Sequence, residues 1–436
     1  MKSIRIKYLF CLLGMVCCAI PGFSQKLGLN DAINIALKNS LDIQVSKNNV
    51  AISDVGNSYG MAGGLPLVTG TASDNESVTD VNQKLNSGEV IKRNGASSNT
   101  LSANVTGSIL LYNGLRVVST KKRLSQLVQQ SEELLNSQVQ NTMASVMTAY
   151  FDIVRQQVYA KTIAVSIDAA QKKLDIVKTQ QSVGLANNAD LYQAQVDLNA
   201  LLQSQQSQRL VIDQAKTELL RVIGAKADSV VDIQDTILVD RAVTLDMALN
   251  AIHRNADILA AIDQIHINEL IEKETAALRY PSVRANAGYN YNRNQVAAGN
   301  ILLNRSQGPF VNLGLTIPIY NGSIYKRQQK IAELNTKNAE LQRDILLRDY
   351  SAAVVKNYQA YTSTLQQLET QQKTFELARQ LLDLVTQRFQ LRQATIVDMT
   401  LAQQSFETAA YSLVNLNFAA KSAEIELKRL ANQLSL

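Results

Sequence analysis

Leu111-Tyr112-Asn113-Gly114 and Ile319-Tyr320-Asn321-Gly322 stand 208 positions apart (112 to 320) and mark the same point in two copies of one pattern. From there the copies run in one register without a gap. Val146 and Tyr150 match Val354 and Tyr358, and Leu174, Asp175 and Val177 match Leu382, Asp383 and Val385. Asp190, Ala194 and Gln195 match Asp398, Ala402 and Gln403, and Glu218, Leu219 and Arg221 match Glu426, Leu427 and Arg429. Shared helical composition does not hold one register for so long. The period also exceeds the roughly 20–50 residues of a solenoid repeat, so the unit duplicated is the size of a domain. Upstream, Leu29-Asn30-Asp31-Ala32 matches Leu245-Asp246-Met247-Ala248, and Leu65-Pro66-Leu67-Val68 resembles Tyr280-Pro281-Ser282-Val283. The expected units are 25–228 and 229–436.

Each copy predicts the same order: helix, two strands, long helix, return helix. The first helix is expected over 29–60 and 245–278, with Asp31 and Asp246 near the starts, where negative charge suits a helix N-terminus. Strands are expected over 65–73 and 100–112, and over 282–291 and 309–320. Long helices follow over 115–183 and 323–391, each about 100 Å at 1.5 Å per residue. Breaks at 184–188 and 392–396 lead into return helices over 189–223 and 397–431. The long helices carry only a narrow apolar stripe. In the first it runs through Val117, Leu124, Leu127, Leu134, Val146, Tyr150, Ile153 and Val154. In the first return helix Leu191, Ala194, Leu198, Leu201 and Leu202 form another.

Alternation carries the strand assignments. Leu101, Ala103, Val105, Gly107, Ile109 and Leu111 share one face, and Ser102, Asn104, Thr106 and Ser108 the other. Val311, Leu313, Leu315, Ile317 and Ile319 alternate with Asn312, Gly314 and Thr316 in the same way. Runs of about ten residues are what a tilted strand needs to cross a bilayer. A soluble sheet with one wet face alternates identically. The segments Asp74–Asn99 and Asn292–Gln307 are polar and read as long loops, unlike hairpin turns of about two to five residues, and long outer loops are a habit of membrane barrels. The acidic start of the first (Asp74, Glu76, Asp80) lacks the central glycine of a calcium loop, and no metal site is expected.

Composition narrows the functional classes. Of 436 residues, 46% are hydrophobic and 18% charged, with 5 prolines and 19 glycines, which favours long uninterrupted helices in a folded chain. Residues 1–24 read as a secretory signal: Lys2, Arg5 and Lys7 precede an apolar run from Tyr8 to Ile20, and Gly22-Phe23-Ser24 offers a small-residue cleavage site. Cys11, Cys17 and Cys18 are the 3 cysteines of the chain, so the mature chain has no disulfide or thiol chemistry. The formal charge of +6 shrinks once the three basic residues of the signal are removed, and it does not call for a nucleic-acid partner. Two histidines, His253 and His266, do not make a multi-histidine metal centre. No Gly-x-x-x-x-Gly-Lys-Ser/Thr loop occurs, and no catalytic triad or paired-carboxylate arrangement stands out. No enzyme activity and no cofactor are expected.

The chain resembles the outer membrane efflux proteins of the TolC type over essentially its whole mature length. The carriers are the repeated Leu-x-x-Ala helix starts, the Pro66 and Pro281 strand entries, and the Tyr112-Asn113-Gly114 and Tyr320-Asn321-Gly322 strand–helix turns. The tip sequence Val183-Gly184-Leu185-Ala186-Asn187-Asn188-Ala189-Asp190 adds to them. The resemblance implies a mainly α protein with transmembrane β: a homotrimer whose twelve strands form one barrel in outer membrane lipid, above a long periplasmic α-helical barrel. It implies a passive exit duct of an efflux or type I secretion system, fed by an inner-membrane pump through a periplasmic adaptor (a membrane fusion protein). It places adaptor docking at the tips, on Gly184, Leu185, Ala186, Arg392 and Ala394, and the periplasmic entrance at Asp398 and Asp190. Arg392 stands where the family often has glycine. Leu401 stands where it has a second entrance acid, so a single ring from Asp398 is expected. The bland reading makes Asp190 and Asp398 local helix caps. The other class of reading is a periplasmic or surface coiled-coil rod without a pore.

Overall fold

The computed structural model describes residues 27–299 and 301–435. The signal segment 1–24, with its cysteines, lies outside the described residues. The elements in chain order are α1 (Leu29–Asn39), α2 (Leu41–Gly56), β1 (Leu67–Lys84), β2 (Val90–Tyr112), α3 (Arg116–Ser182) and α4 (Asn188–Val222). There follow α5 (Leu245–Ala251), a 3-10 turn Ile252–Arg254, α6 (Ala256–Ala277), β3 (Ser282–Val296), β4 (Leu303–Thr316), α7 (Ile324–Gln390) and α8 (Ile396–Leu430). Both long helices have 67 residues and both return helices 35. Each end of α7 and α8 falls 208 positions after the matching end of α3 and α4 (116 to 324, 222 to 430). Among the described residues no helix is long and apolar enough to cross a membrane.

The expected single helices over 29–60 and 245–278 are each broken. Ser40 is extended (φ −55°, ψ 123°) and ends α1, while its hydroxyl oxygen accepts from the Ile43 amide at 3.5 Å at the start of α2. Asn255 is likewise extended (φ −66°, ψ 133°) and buried, and its side-chain amide donates to the Leu430 carbonyl at 3.0 Å. The Ser40 bond is local, and such a bond offers the backbone an alternative to helix, whereas the Asn255 bond reaches across to α8.

The chain divides into two compact units. One comprises residues up to Gln44, Ser137–Asn255 and Asp349 onward. Its largest core packs Ile33 and Ala36 of α1 with Val146, Tyr150 and Ile153 of α3, Leu219 of α4 and Ile425 of α8. The Tyr150 hydroxyl lies 3.2 Å from the Leu27 carbonyl and 3.2 Å from an Asp235 carboxylate oxygen. Burial and that neighbouring carboxylate push its ionisation well above the ordinary phenol range. Two further clusters join the helix pairs: Leu174 and Leu198 of α3/α4 pack with Phe389 of α7, and Leu382 and Met399 of α7/α8 pack with Ala169 of α3.

The other unit comprises Val45–Asn136 and Ala256–Arg348. It holds a single antiparallel sheet in the order β1-β2-β3-β4. Helical residues of this unit meet through polar contacts, among them the Arg123–Glu274 ion pair at 2.7 Å and Gln126 Nε2 to Asp263 Oδ1 at 2.7 Å. Burial holds the Asp263 carboxyl above its ordinary value.

The sheet differs from expectation in length. Asp74–Asn99 is not a loop. Strands β1 and β2 stay paired from Leu67↔Ser108 up to Lys84↔Val90, with one irregularity between Thr79 and Val81. A tight turn closes them, with the Leu85 amide on the Glu89 carbonyl at 2.8 Å and Gly88 at φ +88°. Likewise β3 and β4 pair through most of Asn292–Gln307, as far as Gln295↔Leu303. Alternation vanishes there because both faces are polar, yet the ladder is made by backbone groups. Cross-strand polar pairs reinforce it, such as Ser77 Oγ to Ser98 Oγ at 2.7 Å and Asn99 Nδ2 to Asp74 Oδ1 at 2.7 Å. At the other end β4 stops at Thr316 rather than continuing to Tyr320. Pro318 has no N–H to donate to a ladder.

Register fixes the two faces. Gly107, Ala287 and Val311 lie in one row, and Ile109, Ala285 and Leu313 in another of the same face. Ser108, Asn286 and Asn312 form a row of the opposite face, as do Thr100, Asn294 and Asn304. The apolar face is bare within one chain, with Val311 86% exposed. A contiguous exposed apolar surface of this kind marks contact with lipid or protein.

Candidate functional site

The two helix-turn tips share one backbone design. After α3, Gly184 takes φ +77°, its amide donates to the Gln181 carbonyl at 2.9 Å, and the Leu185 amide donates to the Gln180 carbonyl at 2.7 Å. After α7, Arg392 takes φ +61°, its amide donates to the Phe389 carbonyl at 3.2 Å, and the Gln393 amide donates to the Arg388 carbonyl at 2.7 Å. Both are left-handed helix stops that satisfy otherwise orphaned carbonyls. Glycine adopts this conformation freely, whereas arginine bears a steric cost. The Arg388 guanidinium, donating to the Gln393 carbonyl at 3.0 Å, helps hold the second stop.

The return helices then start with matching capping boxes. Asn187 Oδ1 accepts from the Asp190 amide at 2.8 Å, and the Asn187 amide lies 3.4 Å from Asp190 Oδ2. Thr395 Oγ1 accepts from the Asp398 amide at 3.1 Å, while the Thr395 amide and hydroxyl both donate to Asp398 Oδ2 at 2.8 Å. The caps are therefore Asn187 and Thr395, and the two aspartates are the reciprocal partners three residues on. Hydrogen bonds from Thr395, first its amide and then its hydroxyl, hold the Asp398 carboxyl below its ordinary range.

Ala186 and Ala394 pack against one cluster of Ala170, Leu174, Val177, Ala194, Leu198 and Phe389. The cores of both tips are thus shared. Leu185, Tyr192, Val196, Leu391, Val397 and Leu401 leave apolar surface exposed around them.

Below the tips lies a polar seam that periodicity did not announce. Lys173 Nζ bonds Asp197 Oδ2 at 2.6 Å and lies 3.3 Å from Thr400 Oγ1. Gln403 Nε2 donates to the Ser166 carbonyl at 3.1 Å. Glu407 joins this seam through Ser166 and Gln403, and burial pushes its carboxyl above the ordinary value. The available signal was a lysine at a stripe position between Ala170 and Val177, where the other buried residues are apolar.

The strand–helix turns are built alike in backbone and unlike in packing. Gly114 and Leu115 take φ +67° and +67°, and Gly322 and Ser323 take +66° and +64°. A Cβ on Gly114 would stand 2.8 Å from the Tyr280 Cβ and 2.9 Å from the Ala277 carbonyl oxygen. At Gly322 it would meet nothing within 4 Å. The Asn113 side-chain oxygen accepts from the Val117 amide at 3.4 Å, closing the first turn of α3. Tyr112 is partly exposed and Tyr320 almost wholly so, and Asn321 accepts from the Ile324 amide through its carbonyl at 3.3 Å. Among the described residues no cluster of metal-ligating side chains occurs.

Comparison with known proteins gives one consistent answer. The chain is 24% identical over 357 residues to outer membrane protein TolC of Vibrio cholerae, covering 78% of each chain. It is 21% identical over 354 residues to outer membrane protein TolC of Escherichia coli, covering 78% of this chain and 71% of that one. Its fold matches crystal structures of CusC (TM-score 0.77, 17% identity, 94% of this chain and 93% of that chain). It also matches the outer membrane protein VceC of Vibrio cholerae (TM-score 0.77, 18% identity, 93% and 96%). The family profile described as outer membrane efflux protein matches residues 32–225 and 249–433. With that match covering most of its length, the chain belongs to the outer membrane efflux protein family.

Proposed function

We propose that three copies of this chain form one exit duct through the outer membrane, with the tips as the periplasmic entrance and docking surface for an adaptor that links it to an inner-membrane pump. The observation that carries this reading is the open four-stranded sheet. Its strands of 18, 23, 15 and 14 residues are long enough to cross a bilayer, and its apolar face is bare. Four strands do not close a barrel, since about eight is the working minimum. Three copies supply twelve. The units 25–228 and 229–436 would each contribute two strands, a long helix and a return helix to each duct wall. The opposite face, rich in Asn, Ser and Thr, supplies the polar lining such a barrel needs. A passive duct needs energy from elsewhere, which is the role of the pump.

Planar-bilayer recording of the detergent-extracted protein tests this reading. Stable single-channel conductance steps are expected. A preparation that inserts into bilayers yet conducts nothing would contradict the duct.

A further inference from the structure

The apolar face of the sheet ends in a pair of arginines. On β3 and β4 it climbs two residues at a time from Val283↔Leu315, through Ala287↔Val311 and Tyr291↔Gln307, to Arg293↔Arg305 near the β3–β4 turn. The matching positions of β1 and β2 carry no charge below that last row. Arg293 and Arg305 stand ten residues from Val283 and Leu315 (283 to 293, 315 to 305), which is about 33 Å along a strand. At the tilt of a membrane barrel this becomes about 23–27 Å of height, and the apolar band of such barrels is about 25 Å tall. Tyr289 and Tyr291 lie on the same face just below the arginines, where interfacial aromatic residues gather. Strand length, tyrosines and charge agree in setting the arginine pair at the level of lipid headgroups.

Within the chain this pair has no counter-ion. Arg293 and Arg305 are direct cross-strand neighbours, and like charges so placed are destabilising. Arg305 is exposed. Arg293 turns its guanidinium to Gln295 Oε1 at 2.7 Å, while its Nε is shielded from water and has no hydrogen-bond partner. Among the described residues no carboxylate pairs with either arginine. Asp74 shares their row but lies two strands from Arg293, beyond Leu101, and it accepts the Asn99 side-chain amide at 2.7 Å. Glu76, one row further on, is 3.5 Å from the same amide.

We propose that Arg293 and Arg305 bind the phosphate of a lipid headgroup in the outer leaflet, one site on the lipid-facing wall of each chain. The inference rests on the barrel reading above, with the hairpin turns outward, and names the lipid chemistry that the barrel selects. A guanidinium presents a planar fork of donors that matches phosphate oxygens bidentately. An anion held between two such forks turns their repulsion into attraction and supplies the acceptors that Arg293 lacks. The occupant is a lipid rather than a soluble anion because the bare apolar face leads straight up to the pair. Acyl chains would lie along Val311 and Leu313, 86% and 70% exposed, beneath a headgroup at the arginines. Arg284 has no such place: it lies on the opposite face and donates to Ser108 Oγ at 3.0 Å.

Lipid retained by the detergent-extracted full-length protein tests this, counted by native mass spectrometry after exchange into micelles doped with phosphatidic acid or phosphatidylcholine. The wild type should prefer phosphatidic acid. Arg305→Gln, a change at an exposed edge position, should lower that preference about fivefold, and adding Arg293→Gln should lower it by a similar factor again. Arg284→Gln should leave it unchanged. A preference that survives both arginine changes would overturn the proposal. An equal loss in Arg284→Gln would show diffuse charge rather than a site, and would overturn it too. Inorganic phosphate bound as tightly as phosphatidic acid would make the pair a soluble-anion site, against the proposal. Loss of the assembled particle in Arg305→Gln, with lipid preference intact in what remains, would make the arginine a subunit contact, again against it. A wild-type particle that conducts in planar bilayers yet shows no lipid preference overturns this proposal alone. One that neither enters bilayers nor conducts overturns the barrel reading with it.

Discussion

Lys173 Nζ lies 2.6 Å from Asp197 Oδ2, and the lysine side chain is 0% exposed while the aspartate keeps 19%. This pair joins α3 to α4 under the first tip. The matching positions in the second copy are Leu381 and Ser405, so the copies are not equivalent where they pack. Asp197 also accepts from Gln193 Nε2 at 2.7 Å, and its open side is accessible to solvent.

Breaking this pair from either end should have unequal effects. Asp197→Ala strands a buried ammonium and should destabilise the tip by about 3 kcal/mol. Lys173→Met keeps the stem among Ala170, Leu174 and Val177 and leaves an aspartate that water can reach, so it should cost under about 1.5 kcal/mol. Hydrogen exchange of the α3 and α4 amides near the tip measures both. Equal losses would mean that the pair is already hydrated.

The helix stops respond to backbone conformation rather than contact. A Cβ on Gly184 would meet nothing within 4 Å, so Gly184→Val acts through its φ of +77° alone. It should destabilise the first tip by about 1–2 kcal/mol and weaken adaptor crosslinking there. Arg392 already holds φ +61°, so the second tip has no greater freedom than the first. Arg392→Gly should stabilise its stop by up to about 1 kcal/mol, read as slower exchange of the Gln393 and Ala394 amides. Faster exchange would show that the arginine side chain matters more than its strain.

The pH response of the second tip follows from Asp398. Its carboxyl is held below the ordinary value of 3.8 by the bonds from Thr395. A lowered acid contributes stability that is complete above its unfolded value and is lost as pH falls through the folded one. Protection of the Thr395–Met399 amides, with the intrinsic pH dependence of exchange divided out, should therefore be flat from neutral pH down to the ordinary carboxylate range and fall below it. Asp398→Asn should flatten that acid limb. A ring of three Asp398 carboxylates would act in the opposite direction, since like charges raise one another. If such a ring lines the entrance, Asp398→Asn should also reduce cation preference. An unchanged reversal potential would leave the capping box as its role.

The orientation of the sheet is open to chemical labelling. Ser87, in the β1–β2 turn, and Ile301, exposed between β3 and β4, suit cysteine substitution better than Gly299, whose φ of +125° resists any side chain. Both should react with an impermeant reagent on intact cells. Reaction only after lysis would reverse the orientation.

Sequence reading went furthest where backbone and pattern agree. The long helices end within about one residue of expectation, because Gly184, the repeat register and the acids at 190 and 398 punctuate them. The strands run beyond their alternating cores because Asp74–Lys84 is polar on both faces, and a ladder of backbone hydrogen bonds leaves no trace in side-chain period. Ser40 bonds locally, to Ala36 and Ile43, and differs from other mid-helix serines in no local signal, whereas the break at Asn255 carries a tertiary bond, to Leu430, that no local window contains. Lys173 is the same case in the site. A lysine in a helical stripe reads as solvated until the helix carrying Asp197 is known to lie beside it.

The mass of the detergent-extracted particle, measured by light scattering with the detergent contribution subtracted, tests the central claim most directly. Three copies of the mature chain per particle are required for twelve strands to close one barrel. A stable particle of one copy would leave the β1 and β4 edges open, and one of two copies would hold eight strands rather than twelve; either would contradict the trimeric duct.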